Sequence, residues 1–513
     1  MNVLIVGAGP TGLSLAIELA RHGVPFRLID RATERSDRSR ALVVQPRSLE
    51  LMRPWGVADK LVACGERTVA AQMYVEKRLG VTVGFDDIGV DDTPYPFLLF
   101  VSQAVTEKLC DEALAKLGGT IERGVELVSA RDDSDEVAVV LRHARGQGDR
   151  LEPARFDFVV GCDGAHSAVR HAAGLEFAGA QYEQDFVLAD VAIRWNAPRQ
   201  IYFFFGKGKN AVVLPLADGL SRIIGLTGQP APDGAAGVAE EPSLEEFSRL
   251  LAEVCPFVFE LQRPRWLARF RLHHRGVSRY RAGRLLVAGD AAHIHSPAGG
   301  QGMNTGIQDA CNLGWKLAMV ARGAPARLLD SYDEERRPVG RRLLQYTDRL
   351  FSLAASSSPM VIWLRNKLVP VVAPRALATP ARRKIAFRFI SQLGIRYSGS
   401  SLVGDAGERA PDALVDGVNH LVDAYNHPKH HLVVFGDGAE LLRTAIARYA
   451  PLLDGVVVAD DATARRRYGV AGDGWALVRP DQYIAVRAQS FDDGPLDGYF
   501  GATIGISSSK RSM

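Results

Sequence analysis

Three glycines near the start of the chain have the spacing of a nucleotide-binding turn. A continuous apolar run, Val3–Val6, leads into Gly7-Ala8-Gly9-Pro10-Thr11-Gly12 and then into a segment with helical periodicity. Glycines with this spacing permit a tight turn, close approach of the main chain to a pyrophosphate, and packing of the helix on the strand. The amino terminus of the helix would then face the phosphates. The segment predicts a βα unit in which the three glycines and Thr11 contact a dinucleotide.

An acidic residue follows at the interval that such a unit requires. Phe26–Asp30 predicts a second strand, and Asp30 comes roughly 20 residues after Gly12, where a carboxylate would accept hydrogen bonds from a ribose. A glycine-rich structural turn is the alternative interpretation. Strand, glycines, helix, strand and acid in this order favour nucleotide binding, although they do not distinguish FAD from NAD.

Two further aspartates stand directly after predicted strands. Asp163 lies in Val159-Val160-Gly161-Cys162-Asp163-Gly164, and Asp290 lies in Leu285-Leu286-Val287-Ala288-Gly289-Asp290. Ligands of open α/β sheets bind at the carboxyl ends of strands, where a carboxylate can accept hydrogen bonds from a polyol. The local alternative makes Asp163 a turn residue and Ser167 a helix cap.

A glycine-rich loop at residues 296–304 leads into a strongly predicted helix. Small and apolar residues recur on one helical face, at Ile307, Cys311, Gly314, Leu317, Ala318 and Ala321. The amino terminus of such a helix carries roughly half a positive charge, which would stabilise a negative charge nearby.

His293 and His295 could suggest a metal pair, but no third ligand follows at a usual spacing. We therefore expect histidines with protein partners and no metal.

The chain is long enough to position these motifs in two or three domains. It has 513 residues, of which 47% are hydrophobic, and this length exceeds the size at which a single core stops growing. Its 62 Lys and Arg nearly balance its 59 Asp and Glu, so the charge gives no reason to expect a nucleic-acid partner. A small neutral or weakly anionic ligand fits better.

The cysteines and the apolar segments indicate in which compartment the protein is expected and whether it associates with a membrane. Five widely spaced cysteines, an odd number, indicate reduced thiols in a cytoplasmic protein. The apolar opening lacks a cationic segment and is interrupted by glycines, so we expect it to belong to the fold rather than to a signal peptide. Residues 351–374 contain Arg365, Lys367 and prolines, which disfavours a membrane span. Arg382, Arg383, Lys384 and Arg388 could face an anionic membrane, but a solvated helix face is the preferred interpretation, and no stable membrane association is predicted.

Between the nucleotide motifs the pattern changes to that of antiparallel strands. Residues 137–141 and 156–160 flank a turn-rich segment and predict a hairpin or meander. Residues 180–270 contain the strand-like segments Ile201–Phe205, 211–216 and 221–226, with a helical stretch at 243–254. We expect a separate, mostly antiparallel sheet that covers the active site, and a last module that begins near Ala410.

In combination, the Gly7 fingerprint and the Asp163 and Asp290 blocks resemble the class A flavin-dependent aromatic hydroxylases, the para-hydroxybenzoate hydroxylase and phenol hydroxylase type of FAD monooxygenase. The resemblance covers about residues 1–350 and includes Ser331-Tyr332-Asp333-Glu334-Glu335-Arg336-Arg337-Pro338. It implies an α/β fold with a Rossmann-like FAD-binding domain of the glutathione-reductase type, a mostly antiparallel β substrate domain and a C-terminal thioredoxin-like α/β domain. The corresponding boundaries are 1–75, 100–180 and 271–395 for the first domain, 76–99 and 181–270 for the second, and 396–513 for the third.

The resemblance also implies which residues contact non-covalent FAD. The first block and Asp30 would bind its ADP part, Asp163 is linked to FAD and NAD(P)H, and Asp290 would hold the ribityl chain. The loop at 296–304 would lie beside the flavin ring, with its helix facing the N1 and O2 edge. Further expected contacts are Arg31, Arg40, Gln103, Pro297, Gly300, Gly302, Met303 and Asn304.

The activity implied by the resemblance is hydroxylation of a phenolic or polycyclic aromatic substrate. NADPH or NADH reduces FAD, O2 adds at flavin C4a, and the substrate ring attacks the distal oxygen of the hydroperoxide. Tyr202, in an aromatic strand, is a candidate for the base that deprotonates the phenol, with packing as the alternative, and Pro297 is a candidate catalytic residue of the flavin-side loop. A Baeyer–Villiger oxygenase on the same scaffold and a non-catalytic flavin-binding protein remain alternatives. A flavin halogenase is disfavoured because the Trp-x-Trp-x-Ile-Pro pattern is absent from the sequence.

The tail resembles the thioredoxin-like domain of the larger phenol-hydroxylase relatives, from Arg409-Ala410-Pro411-Asp412 to Leu477-Val478-Arg479-Pro480-Asp481. No cysteine follows Cys311 in the sequence, so dithiol chemistry is excluded there. A structural or dimer-forming role is expected instead, with a homodimer as one outcome. The sequence does not identify the aromatic substrate.

Overall fold

The first module is built on a six-stranded sheet. The structure is a computed structural model and describes residues 1–36, 41–68, 70–84, 88–144, 150–230, 241–295, 299–356, 358–415, 419–458 and 461–505. Five strands of this sheet are parallel and one edge strand is antiparallel; in sheet order they are Arg281–Ala282, Leu285–Val287, Phe158–Gly161, Val3–Val6, Phe26–Asp30 and Ile121–Arg123. The predicted Rossmann-like sheet is confirmed.

Helices surround this sheet. Helix Pro10–Arg21 packs between Gln103–Lys116 and Gly302–Ala321. Every residue of the last helix from Asn304 to Met319 is buried, so this helix runs through the core. The other helices of the first module and its connections are Pro46–Met52, Ala58–Cys64, Ala168–Ala172, Asp330–Ala355, Pro359–Ala376 and Pro380–Ile390.

Two small sheets complete the first module. The predicted meander is formed by Val125–Asp132, Val137–His143 and Arg150–Phe156. Its last arm lies before the predicted segment 156–160, because Phe158–Gly161 belongs to the parallel sheet instead. The second small sheet consists of Val43–Val44, Leu98–Phe100 and Glu66–Thr68.

The second module is an eight-stranded sheet. In order its strands are His293–Ile294, Phe259–Val277, Phe177–Trp195, Leu220–Pro230, Asn210–Pro215, Ile201–Phe205, Ala70–Val75 and Arg78–Gly84. All neighbours are antiparallel except Ile201–Phe205 and Ala70–Val75, which confirms the predicted, mostly antiparallel sheet. A boundary after residue 75 would divide the hairpin at this edge, so we propose that the second domain begins near Ala70.

The third module is a mixed four-stranded sheet. Its order is Leu453–Val458, His430–Phe435, Gly474–Val478 and Ile484–Ala488, with the first pair parallel and the other two antiparallel. Helices Arg443–Arg448, Ala462–Tyr468 and Gly494–Asp497 and the two-stranded sheet Leu414–Val415 with Asn419–His420 accompany it. This is the predicted C-terminal α/β module. Its core also includes Trp315 and Met319 of the first module, so the two modules share buried surface.

The five cysteines are free thiols, and four of them are buried. Among the described residues, no helix is both long enough and apolar enough to cross a membrane.

Buried charges join the third module to the first. The Glu335 carboxylate accepts hydrogen bonds from Lys316 Nζ at 2.8 Å and from Arg479 Nη1 at 2.6 Å, and Arg479 also pairs with Asp481. These four side chains are 0–2% exposed. Burial by itself would raise the pKa of Glu335, but Arg479 and Lys316 outweigh it and hold that pKa below its ordinary value.

Glu335→Gln is expected to lower the free energy of unfolding by about 3–5 kcal/mol, because it leaves buried cations without their compensating charge. Since folding lowers the Glu335 pKa, this contribution is present above the ordinary glutamate pKa of about 4.3 and declines as the pH falls below it. Denaturant unfolding at neutral and acid pH measures both effects. The matched control is Glu334→Gln, a neighbouring exposed carboxylate that accepts from Ser401. Equal losses in the two variants would contradict this account.

Candidate functional site

Four predicted ligand-binding segments meet at one edge of the six-stranded sheet. Val6, Gly161 and Val287 are register partners in three neighbouring parallel strands, so the turns that follow them begin side by side. The Cys162 N–H donates to the carbonyl of Val6 at 2.8 Å. Asp30 ends the next strand along the sheet. With neighbouring strands about 4.8 Å apart, the outer two turns lie about 14 Å from each other, so the edge suits an extended ligand.

The three glycines of the first turn have different surroundings. A Cβ on Gly7 would lie 2.5 Å from the carbonyl oxygen of Cys162, and a Cβ on Gly12 would lie 1.9 Å from that of Gly7. Gly7 also has a φ of +101°. Around Gly9, no described atom lies within 4 Å of the corresponding position. Packing therefore requires two of the glycines, while Gly9 faces open space through which a pyrophosphate can approach the main chain.

Two helix amino termini at this edge lack side-chain caps. Helix Pro10–Arg21 begins after Gly9, and helix Gly302–Ala321 begins after Gln301. Within the described part of the chain, no N-cap side chain accepts a hydrogen bond from their first amides. Among the described helices, five carry side-chain caps, which are Ser102, Ser167, Ser243, Thr379 and Asp461. Uncapped amides are hydrogen-bond donors that a phosphate or an anionic ring edge can use.

The residues expected near the adenosine end lie around Asp30. One oxygen of its carboxylate accepts from Ala8 N–H at 2.7 Å and the other from Ala32 N–H at 2.8 Å, and a carboxylate has further lone pairs for a ribose. Arg31 is exposed. Gln103 begins its helix, accepts from Ala41 N–H and donates to Glu107. Arg40 lies outside the described residues.

Asp163 has the local role of a turn residue, which the sequence had left as an alternative. Its carboxylate accepts from Ala168 N–H at 2.7 Å, at the start of helix Ala168–Ala172, and Ser167 Oγ accepts from Arg170 N–H. Burial raises the Asp163 pKa. A Cβ on Gly7 would lie 2.8 Å from the Asp163 Cα, so this turn nevertheless adjoins the glycine fingerprint.

The third turn packs against the first through Thr11. Gly289 has a φ of +60°, and its Cβ would lie 2.5 Å from Thr11 Oγ1; a Cβ on Gly306 would lie 2.3 Å from the same atom. The Thr11 side chain therefore fills the space between the turn and the buried helix. Asp290 follows Gly289 and is exposed at the carboxyl end of its strand.

The described part of the glycine-rich loop is held in place by Asn304. Its amide nitrogen donates to the carbonyls of Val43 and Gly300 at 2.8 and 2.9 Å, and its oxygen accepts from Gln45 N–H at 2.8 Å. The side chain is fully used, so Asn304 can reach a ligand only through its main chain. Gly299 and Gly300 have positive φ values of 85° and 62°. Met303 and Gly302 are partly exposed, and Pro297 lies outside the described residues.

A buried charge cluster packs against the Gly289 turn and the start of the central helix. Asp309, in the central helix, accepts from Arg336 Nε at 2.7 Å, lies 2.8 Å from His293 Nε2, and also accepts from Gly289 N–H at 3.1 Å. Burial would raise the Asp309 pKa, but Arg336 and His293 outweigh it and lower it. His293 thus has a protein partner, and among the described residues no group of three potential ligands suits a metal ion.

An apolar row crosses the second module, and one member of this row lies near the glycine-rich loop. Register partners share a face of a sheet, and successive partners give a row of Met73, Phe203, Val212, Ile224, Leu188 and Ala268. Phe203 packs against the cluster that contains Val43. A Cβ on Gly300 would lie 2.9 Å from Val43. This face is therefore the candidate wall of an aromatic substrate site.

Tyr202 points to the opposite face, and the hypothesis that it is the catalytic base is not retained. Its ring packs with Phe204 and Phe257 beneath helix Leu244–Val254. Its hydroxyl donates to the carbonyl of Pro198 at 2.8 Å, and burial raises its pKa. The packing interpretation of this tyrosine describes the structure.

Sequence reasoning missed the residues that support the site. Asp309, Arg336 and His293 form one cluster from three separate segments, and Gln45 donates from Nε2 to the carbonyl of Gly299 at 3.0 Å. Two signals pointed to this cluster: the position of Arg336 within the quoted segment 331–338, and the expectation that His293 has a protein partner. The apolar row could not be predicted, because it depends on which strands pair, and the sequence of a single strand does not determine its partners.

Comparison with known proteins extends over nearly the whole chain. Residues 1–347 match the family described as FAD binding domain, and residues 404–503 match aromatic-ring hydroxylase, C-terminal. The chain is 38% identical to a 6-methylpretetramide 4-monooxygenase of Streptomyces rimosus, over 95% of this chain and 91% of the relative. It is 32% identical to a pentachlorophenol 4-monooxygenase of Sphingobium chlorophenolicum, over 96% and 95%. The solved structure of an anhydrotetracycline hydroxylase from Streptomyces rimosus superposes with a TM-score of 0.78 at 31% identity, covering 99% of this chain and 100% of that one.

Proposed function

The chain belongs to the FAD-dependent aromatic-ring hydroxylases, and we propose that it uses NAD(P)H and O2 to hydroxylate a fused-ring phenolic substrate. One observation carries this proposal: an apolar row of register partners crosses the second sheet, and its member Phe203 packs against the cluster whose Val43 contacts the glycine-rich loop at Gly300. Such a wall suits a flat hydrophobic substrate. The relative named for 6-methylpretetramide, at 38% identity, supports a fused-ring compound over a single ring such as that of the pentachlorophenol relative, at 32%.

The residues at the sheet edge fit FAD in an extended conformation. The amides after Gly9 would bind the pyrophosphate, Asp30 the adenosine ribose, and Asp290 the ribityl chain, with Arg31, Arg40, Gln103 and Asp163 nearby. The main chain of Gly300, Gly302, Met303 and Asn304, with Pro297, would lie along the flavin ring. Bound FAD supplies the transfer of electrons from NAD(P)H to O2, while the protein supplies binding and orientation.

The apolar row has two tasks in this proposal. It orients the substrate ring towards the loop, and it excludes water from the space between them, which prevents wasteful side reactions. Ring hydroxylation is favoured over the Baeyer–Villiger alternative because the C-terminal family is described as aromatic-ring hydroxylase and a solved relative matched over its full length is a hydroxylase. A catalytic role is favoured over a non-catalytic one because the curated relatives named above are enzymes.

A substrate screen tests the proposal directly. Purified holoenzyme should oxidise NADPH or NADH slowly by itself and several-fold faster with the right fused-ring phenol, and mass spectrometry should show a product heavier by one oxygen. Single-ring phenols serve as the comparison. Stimulation by single-ring phenols alone would reject the fused-ring assignment, and a product without added oxygen would reject hydroxylation.

Tyr202→Phe and Phe203→Ala form a matched pair of neighbours on opposite faces. Tyr202→Phe is expected to cost about 1 kcal/mol of stability through the lost hydrogen bond and to leave substrate-stimulated NAD(P)H oxidation near the wild-type rate. Phe203→Ala should change KM and the yield of hydroxylated product, because it opens the wall. Thermal unfolding and product assays measure both effects. A pH-independent loss of product in Tyr202→Phe larger than in Phe203→Ala would reverse the assignment of the faces.

A further inference from the structure

Helix Pro359–Ala376 presents its apolar side to solvent. Six large apolar side chains lie on this stripe and are 47–74% exposed: Met360, Trp363, Leu364, Leu368, Val371 and Val372. Their spacing of three and four residues places them on one face of the helix. Ile385 of the next helix, Pro380–Ile390, is also 70% exposed.

Polar side chains help to anchor the side of this helix that faces the protein, beside apolar ones such as Ile362, which lies 3.9 Å from the position of a Cβ on Gly208. Arg365 is buried, donates to the carbonyls of Ala354 and Gly206 at 2.6 and 3.0 Å, and stacks on Phe205. Asn366 donates to Glu76 at 3.0 Å. The helix therefore exposes large apolar side chains on one side while polar groups help to anchor its protein-facing side, whereas an ordinary surface helix buries its apolar face.

The surrounding surface is strongly cationic. Between Asp348 and Asp405 the sequence contains no Asp or Glu and nine basic residues, which are Arg349, Arg365, Lys367, Arg375, Arg382, Arg383, Lys384, Arg388 and Arg396. The exposed Arg375 and Arg382 donate to main-chain carbonyls. Acids of neighbouring segments pair with three of these cations, Asp91 with Lys384, Asp92 with Arg388 and Glu408 with Arg396, and Arg365 is buried. The chain as a whole is almost neutral, so this charge is a local concentration.

We propose that this docking face, formed by helices Pro359–Ala376 and Pro380–Ile390, binds reversibly to the surface of a bilayer that contains anionic phospholipids. The apolar stripe enters the boundary between headgroups and acyl chains, and the flanking cations contact the phosphates. Trp363 is suited to this boundary because tryptophan is enriched at membrane interfaces. Pro370 and Pro374 and the fixed polar side make the helix an interfacial element rather than a span.

A second copy of the chain fits this face less well. In a twofold dimer the same patch lies on both subunits, so the cations would be brought together without opposing carboxylates. An anionic membrane supplies both the opposite charge and the apolar phase.

Vesicle sedimentation of the FAD-loaded protein tests the proposal. The protein should sediment with vesicles of equimolar phosphatidylglycerol and phosphatidylcholine, bind much less to pure phosphatidylcholine, and dissociate as salt shortens the screening length. Trp363→Glu/Leu368→Glu and Arg375→Glu/Arg382→Glu should each lower the partition coefficient by at least about tenfold. Retained FAD and unchanged thermal unfolding show that these variants are folded.

Leu441→Glu is the matched control, since Leu441 is 71% exposed in the third module and should not affect vesicle binding. Wild-type protein that stays in the supernatant with anionic vesicles would overturn the proposal. An equal loss in Leu441→Glu would also overturn it. A wild-type dimer that Trp363→Glu dissociates, without vesicle binding, would assign the face to a second copy.

Discussion

A Gly9→Val protein is expected to fold and to lose FAD. Gly9 has a φ of −75°, which any residue adopts, and its missing side chain points into space free of described atoms. A valine there is tolerated by the fold but occupies the path of the pyrophosphate. If two amide–phosphate hydrogen bonds are lost, each worth about 1.5–3 kcal/mol, FAD affinity should fall at least about a hundredfold. Flavin absorbance after desalting and apo-protein unfolding measure the two halves of this prediction.

Two other glycines make the result interpretable. Gly472 also has open space around it, in the third module, so Gly472→Val should keep both FAD and stability. Gly12→Val should instead destabilise the apo-protein, because its Cβ would lie 1.9 Å from the Gly7 carbonyl oxygen. Normal FAD affinity in Gly9→Val would exclude the proposed path of the pyrophosphate.

The contrast between these glycines shows what a local pattern can predict. The order of strand, turn and helix is encoded within about 30 residues, so the first βα unit could be predicted from Gly7 to Asp30 without the structure. Asp163 and Asp290 could be placed near it because the carboxyl ends of parallel strands share one edge. Their side-chain roles were left open, because the sequence allowed Asp163 either a ligand contact or a local turn role, and its carboxylate accepts from the helix that follows it.

The sequence alone could not predict which of the neighbours Tyr202 and Phe203 faces the substrate. Successive strand residues point to opposite faces, but which face covers the active site is decided by the neighbours of the strand. Strand Ile201–Phe205 pairs with Ala70–Val75, far away in the sequence, and helix Leu244–Val254 covers the Tyr202 side. The Asp309 cluster could not be predicted either, because its members come together only through tertiary packing.

The oxygen atom that is added to the substrate is expected to come from O2 and not from water. With a true substrate under labelled O2 in ordinary water, the product should carry one labelled atom, and NAD(P)H and O2 should be consumed in equal amounts. This follows from the proposed function, in which one flavin would meet NAD(P)H first and O2 afterwards, in a site where the apolar wall and the glycine loop would exclude water. Product mass and oxygen uptake give the two measurements. Label from water, or a product that has only lost hydrogen, would identify a hydroxylating dehydrogenase or an oxidase instead.

Phe203→Ala separates substrate placement from flavin chemistry in the same assay. Its side chain belongs to the apolar row and packs against the Val43 cluster beside the loop, so truncation should let the substrate ring shift. A displacement of about 1 Å can reduce the rate of a reaction severely, and O2 should then leave increasingly as H2O2 while NAD(P)H oxidation continues. Any remaining hydroxylated product should still carry its label from O2. If Phe203→Ala instead abolished NAD(P)H oxidation while FAD was retained, the wall would contribute to reduction, and its proposed role in placing the substrate would be wrong.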